Sequence, residues 1–313
     1  MVKSKIRRKP GGMLKWKKAL PVYLLMVPGM AYFLINNFIP MYGITIAFRR
    51  LDFRLGVFRS PFNGLENFRF MFATGNIWNP IRNTLLYNTV FIVLGTVCAV
   101  TVAILFNEIR NKAAKRFYQT AVLLPFLMSM VIVSYLAFAF LSADTGFINR
   151  SIIEPLTGNF VPFYQDPRPW PFILTFVNLW RGIGFSMIVY LATILGISIE
   201  LFEAAKVDGA SKFQQIRHIT IPHLKPTVVM LFILSVSRLF ASDFGLFYQI
   251  PMNSGMIRNV TQTIDVYVYN LLMHQNNISM SAAASVMQSF VGFMLVLLAN
   301  GIIRKISKGL ALF

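Results

Sequence analysis

The chain has 313 residues, 56% of them apolar, and a formal net charge of +19. An apolar excess of this size with a positive mean hydropathy places it in the membrane class and not among soluble domains. The basic residues fall between apolar runs instead of forming a patch, which excludes a nucleic-acid surface. Cys98 stands alone inside an apolar run, so there is no disulfide framework and no CxxC redox pair. His218, His223 and His274 have no metal-ligand spacing with each other or with Cys98.

Residues 1–19 form a basic segment with eight Lys or Arg and no acid. The apolar run that follows, 20–48, is too long for a secretory h-region and shows no small-residue cleavage site. It reads as a retained first span with its N-terminus inside. Fully helical, it would be roughly 43 Å long, so Pro28 and Pro40 are expected to kink it or end it early.

Further spans are expected at about 83–106, 118–141, 170–198, 226–248 and 281–303, each near or above the roughly 20 residues a crossing needs. Six crossings return the C-terminus to the side of the N-terminus. Nineteen Lys or Arg then fall on cytoplasmic segments and nine on outer loops, the sense the positive-inside rule requires. Residues 20–313 therefore read as one transmembrane domain. The first outer loop, 49–82, mixes arginines with aromatics. It reads as a solvated loop with interfacial anchors, with residues 64–73 suited to an amphipathic helix. A contact surface for an external protein is the other reading of that loop. The second outer loop, 142–169, has little beyond Pro and Gly punctuation.

Between the fourth and fifth spans lies the mixed-charge stretch 199–225. Helix formers run from Glu203 to Asp208, Gly209 permits a bend, Ser211 suits an N-cap, and Pro222 is expected to end the second helix. Ala204, Ala205 and Ala210 let another surface approach the backbone. Residue chemistry alone leaves a docking element and an ordinary connector equally open.

Three charges fall within the expected spans: Arg181, Arg238 and Asp243. Each needs a partner, a wet cavity or an interface. An Asp–Arg pair beside a pathway and a helix–helix salt bridge that only fixes packing are both open. Trp180, Phe244, Phe247, Tyr248, Gln249 and Asn253 lie close in sequence and combine aromatic faces with planar polar groups, as sugar recognition requires. Gly182, Gly184, residues 281–284 and Gly292 suggest close helix approach.

The spacing Glu203-Ala204-Ala205, Gly209, Ile219, Pro222 resembles the coupling (EAA) motif of binding-protein-dependent ABC importer permeases, with Ile221 where Leu is usual. Residues 39–43, 60–68, 83–85, 243–249, 264–269, 288–293 and 311–313 are similar to the carbohydrate-uptake (MalF/UgpA-like) permeases, in particular the LplB-like branch. That resemblance implies an all-α integral membrane fold with six transmembrane helices, both termini cytoplasmic, of the type I ABC importer kind. It also implies that Glu203, Ala204, Ala205, Asp208, Gly209, Ala210, Ile219 and Pro222 dock on a separate cytoplasmic ATPase dimer. A second related permease, an extracellular solute-binding protein and an oligosaccharide cargo are the other implied partners. The chain has no GxxxxGK[ST] phosphate loop, so it is expected to be a transport subunit and not an enzyme, with ATP and Mg bound by the partner. Rival readings are a permease for a peptide or other non-sugar solute, an ion-driven secondary transporter, and a membrane scaffold or sensor. Asp243 alone offers an intramembrane carboxylate and no repeated halves show, which disfavours the ion-driven reading.

Overall fold

The computed structural model describes residues 12–306. The residues from Lys3 to Lys9 and the 311–313 stretch lie outside these. The main elements are α1 (Gly12–Phe33), α2 (Glu66–Ala73), α3 (Trp78–Glu108), α4 (Lys112–Leu127), α5 (Met130–Leu141) and α6 (Trp170–Leu195). They are followed by α7 (Ile199–Val207), α8 (Lys212–Val236), α9 (Phe244–Gln249), α10 (Ile264–Met273) and α11 (Ile278–Ile306). Among the described residues the one β feature is an isolated bridge between Arg49 and Phe62.

Five helical stretches are long and apolar enough to cross a membrane: Ala19–Phe48, α3, α6, α8 and Ile278–Gly301. The continuous span expected over 118–141 is not found. In its place stands the bent pair α4 and α5, two apolar helices that meet at 97°. Pro125 lacks the N–H that would continue the ladder in the last turn of α4, Met128 and Ser129 are extended, and the Ser129 hydroxyl caps α5 by accepting from Ile132 N.

The first span bends less than its prolines suggest. Pro21 and Pro28 sit inside α1, and the helix carries on through a π turn, Leu34–Phe38. Two further π turns occur, Asn149–Ile153 and Ile216–Thr220, and each of the three ends two residues before a proline (Pro40, Pro155, Pro222). Widening the turn relieves the clash of the proline ring with the carbonyl one turn back. Pro222 accordingly does not end its helix, contrary to the sequence expectation, and α8 runs on to Val236.

The fifth span is also corrected. The run 226–248 is expected as one helix, yet α8 stops at Val236, residues 237–243 are non-helical, and α9 begins after Asp243.

The core is built on α3 against α6. Ala99 and Ala103 admit Met187, Tyr190, Leu191 and Ile194 closely at the inner end. Tyr87, Trp170, Leu174, Val177 and Phe247 fill the outer end. Gly184 lets α6 touch the α4 backbone, since a Cβ there would run into the Val122 carbonyl, whereas Gly182 and Gly292 face open space. No residue from Ala19 to Ile46 is buried, so the part of α1 from Leu20 to Phe33 presents exposed apolar side chains along its length.

The first outer loop is folded and not merely solvated. Asn67 Nδ2 donates to the carbonyls of Ala47 (2.8 Å) and Arg49 (3.0 Å), and Arg49 donates to the Ser60 carbonyl at 2.7 Å. Met71 of α2 and Ile77 pack with Tyr267, Leu271, Met280 and Ala284.

Candidate functional site

Two sites joined by α8 carry the chemistry. The first is the turn between α7 and α8. Gly209 takes φ +76°, and Gly209 N and Ala210 N donate to the carbonyls of Lys206 (3.1 Å) and Ala205 (2.8 Å). This paired pattern is a Schellman ending, which needs a left-handed residue at the glycine position. Ser211 then opens α8 with a reciprocal capping box: its hydroxyl accepts from Gln214 N, and its own N–H donates to Gln214 Oε1 at 2.7 Å. Buried Gln215 donates to the Ala210 carbonyl at 2.9 Å, so the turn is satisfied from both sides.

The outward face of this turn is apolar and unpaired. Val207 is 88% and Phe213 70% exposed. Glu203, Ala204 and Asp208 are exposed, and Ala205, Ala210 and Ile219 are half-buried. Pro222 is exposed just past the π turn. Lys212 Nζ meets Glu108 Oε2 at 2.7 Å, tying the turn to the C-terminal end of α3. Both side chains are roughly half exposed, so the pair is worth less than about 1 kcal/mol. We expect Lys212→Glu to reduce coupled turnover by no more than about fivefold, and Glu108→Lys in the same chain to restore it. ATPase assays on the two single variants and the charge swap check this. A swap as impaired as the single variants would mean the pair has no such role.

The second site is a cavity of about 980 Å³ between α3, α6, the outer end of α8 and the non-helical segment. Its lining includes Asn88, Phe91, Asn178, Ser186, Tyr190, Ser235, Arg238 and Asp243. Irregular backbone at membrane depth survives only where every polar group finds a partner. Asn88 Nδ2 donates to the carbonyls of Leu239 and Ala241, at 2.8 Å each, and Gln288 Nε2 donates to the Phe240 carbonyl at 3.0 Å. Asp265 accepts from Ser242 N at 2.7 Å and from Gln288 Nε2 at 3.1 Å, and the Ser242 hydroxyl lies 2.7 Å from both Asp265 and Thr263. Side chains of three helices thus hold the break open.

Asp243 closes the segment as the N-cap of α9, its Oδ1 accepting from Leu246 N at 3.1 Å. Its Oδ2 lies 3.7 Å from Arg181 Nη1. The Arg181 guanidinium also stands over the Phe126 ring at 5.8 Å, while its Nε is buried without a partner. Arg181 and Asp243 therefore form a pair between elements, and the Asp243 residue of that pair lines the cavity.

The other sequence candidates divide. Arg238 lines the cavity. Phe247 is 1% exposed and packs on Tyr87 and Phe91, so it belongs to the core. Trp180 packs against the same cluster. Phe244 and Tyr248 stack at 4.9 Å and form an aromatic box with Tyr269, outside the cavity lining. Gln249 is half-buried and away from the lining. Asn253 exchanges amide hydrogen bonds of 3.1 Å with Asn270 and so fixes the outer turn. Asn88, Asn178, Ser186 and Tyr190 were not singled out from sequence. Polar side chains within apolar spans were the available signal.

Residues 92–310 match the family described as binding-protein-dependent transport system inner membrane component. Similar proteins include LplB of Bacillus subtilis, 32% identical over 94% of this chain and 93% of the relative. The polygalacturonan/rhamnogalacturonan transport system permease protein YteP of the same organism is 34% identical over 92% and 88%. A chain in the crystal structure of a bacterial ABC transporter for import of the acidic polysaccharide alginate superposes with a TM-score of 0.85. It is 28% identical, and the likeness covers 94% of this chain and 99% of that one. With the family matched over well over half its length, and relatives above 30% identity nearly end to end, this multi-pass chain belongs to the inner membrane components of binding-protein-dependent transport systems.

Proposed function

We propose that the chain is the permease subunit of an ATP-driven importer of oligosaccharides, with the cavity as part of the cargo path and the α7–α8 turn as the ATPase contact. The observation that carries this is the continuity of α8. One uninterrupted helix begins at the satisfied, apolar-faced turn around Gly209 and ends at the cavity wall, where Leu231, Leu234 and Ser235 line it. A displacement of the turn by a closing ATPase dimer is thereby passed to the wall as a rigid-body movement. ATP and Mg act in that partner.

The cavity size supports a cargo larger than a single small metabolite, since ligand pockets run from about 300 to 1,000 Å³. Amides, hydroxyls and the rings of Phe91 and Tyr190 suit a sugar's two kinds of surface. The cargoes in the names of the similar proteins, polygalacturonan and alginate among them, support the same class. The distribution of Lys and Arg supports cytoplasmic termini and a cytoplasmic turn.

The exposed apolar side chains along α1 from Leu20 to Phe33 support a second permease subunit beside this one. The folded outer loop supports contact with an external binding protein, a component present with the alginate transporter in a related structure. The test is uptake of a labelled glycan panel by cells lacking this chain and by cells given it back. Loss and recovery of a glycan class is expected. Unchanged glycan uptake, with loss of another solute instead, removes the sugar assignment.

A further inference from the structure

Among the described residues, Arg238 is the one charge lining the cavity that has no partner. Asp243, the other, is engaged twice, by Arg181 at 3.7 Å and by the first turn of α9. Asp265, behind the segment, does not line the cavity, and its oxygens accept from Ser242 and Gln288. Arg238 uses its backbone N–H toward Ser235 and its carbonyl toward Ala241, while its side chain has no hydrogen bond or ion pair.

We infer that this cavity takes oligosaccharides of uronic acids and that Arg238 receives the sugar carboxylate, an inference that rests on the importer function proposed above. Arg238 is exposed and lines the cavity, so its guanidinium is open to a counter-charge from what the cavity holds. A neutral glycan offers only hydroxyls, which Asn178, Ser186 and Ser235 already serve. A carboxylate offers two coplanar acceptors that match the guanidinium fork, and a pairing of charged donor with charged acceptor is about twice as strong as a neutral one. Arg181 is not the receptor: it stands behind Asp243, off the lining. The carbonyls of Leu239 and Ala241, anchored by Asn88, fix the backbone just after Arg238, so the fork is presented from a segment that does not yield.

The test uses the complete transporter in proteoliposomes with its ATPase and binding protein. The probes are short fragments of polygalacturonate and of alginate, each beside its methyl ester, which keeps the shape and removes the charge. Affinity of the isolated binding protein for each probe is measured in parallel, so that discrimination is assigned to the permease. Arg238→Gln is expected to lower uptake of at least one free acid by about tenfold at subsaturating concentration while changing its ester by less than about twofold. Arg238→Lys is expected to recover most of the loss. Equal losses for acid and ester, or no loss for either, overturn the assignment. Uptake confined to neutral glycans overturns it while leaving the importer function intact. Uptake of no glycan at all, with another solute carried, removes both.

Discussion

Replacing Glu203 by Lys is expected to bring cargo-stimulated ATP hydrolysis down to the unstimulated rate while the protein still reaches the membrane. Glu203 is exposed on α7 and its carboxylate has no partner among the described residues, so the reversal costs the fold little. At a docking surface the same reversal removes an attractive contact and adds a repulsive one. For a central interface charge that is about 2 kcal/mol or more, roughly thirtyfold in occupancy. Gly209→Pro reaches the same end by another route. It deletes the N–H that donates to Lys206 and demands φ near −65° where the chain holds +76°. The Schellman ending then opens and the apolar pair Val207 and Phe213 loses its fixed spacing. ATPase assays with and without loaded binding protein decide the matter. Full stimulation in both variants would sink the docking role.

Asp243→Ala is expected to have the second large effect, on the cavity side. The substitution removes the cap of α9, about 1 kcal/mol and up to 2. It also strips Arg181 of its counter-charge when its Nε is already buried without a partner. Because Asp243 is 42% exposed, the charge contribution is modest and the cap dominates the loss of stability. Transport suffers more than stability, because α9 carries Leu246 and Phe247 into the core that positions the cavity wall. We expect the melting temperature to fall by a few degrees and uptake by about tenfold. Arg181→Met added to the variant should recover the smaller, charge-related share of the lost melting temperature and leave the cap's share lost. A double variant no more stable than the single one would show that the pair does not matter to the fold.

The long elements were legible because their signals are local. Apolar runs of about 20 residues, the basic segments between them and the Glu203–Pro222 spacing each sit in one stretch of sequence. The broken fifth span was not legible for the opposite reason. Between Thr227 and Asp243 there is no Gly or Pro, and what opens the helix after Val236 is supplied by Asn88, Asp265 and Gln288 from three other helices. The bend between α4 and α5 was readable in part, since Pro125 and Ser129 mark a stop and a cap. Among site residues, the charges were found because a charge in a span is rare, and the aromatics were not sorted because 30 Phe leave residue type uninformative. Phe244 and Phe247 lie three residues apart on one six-residue helix, so what sorts them is the packing supplied by other elements.

The length of α8 sets a mechanical ratio. Its 25 residues, at about 1.5 Å each, make a rod of roughly 37 Å. Pivoted near its outer end, the rod turns a swing of roughly 6 Å at the Gly209 turn into a tilt of only about 10°. The stroke is therefore large where force is applied and small where cargo sits, as in a long-handled lever. The π turn at Ile216–Thr220 lies near the driven end of that rod, where a bend of given angle has only a short arm to the turn and takes up less of the stroke than the same bend nearer the cavity.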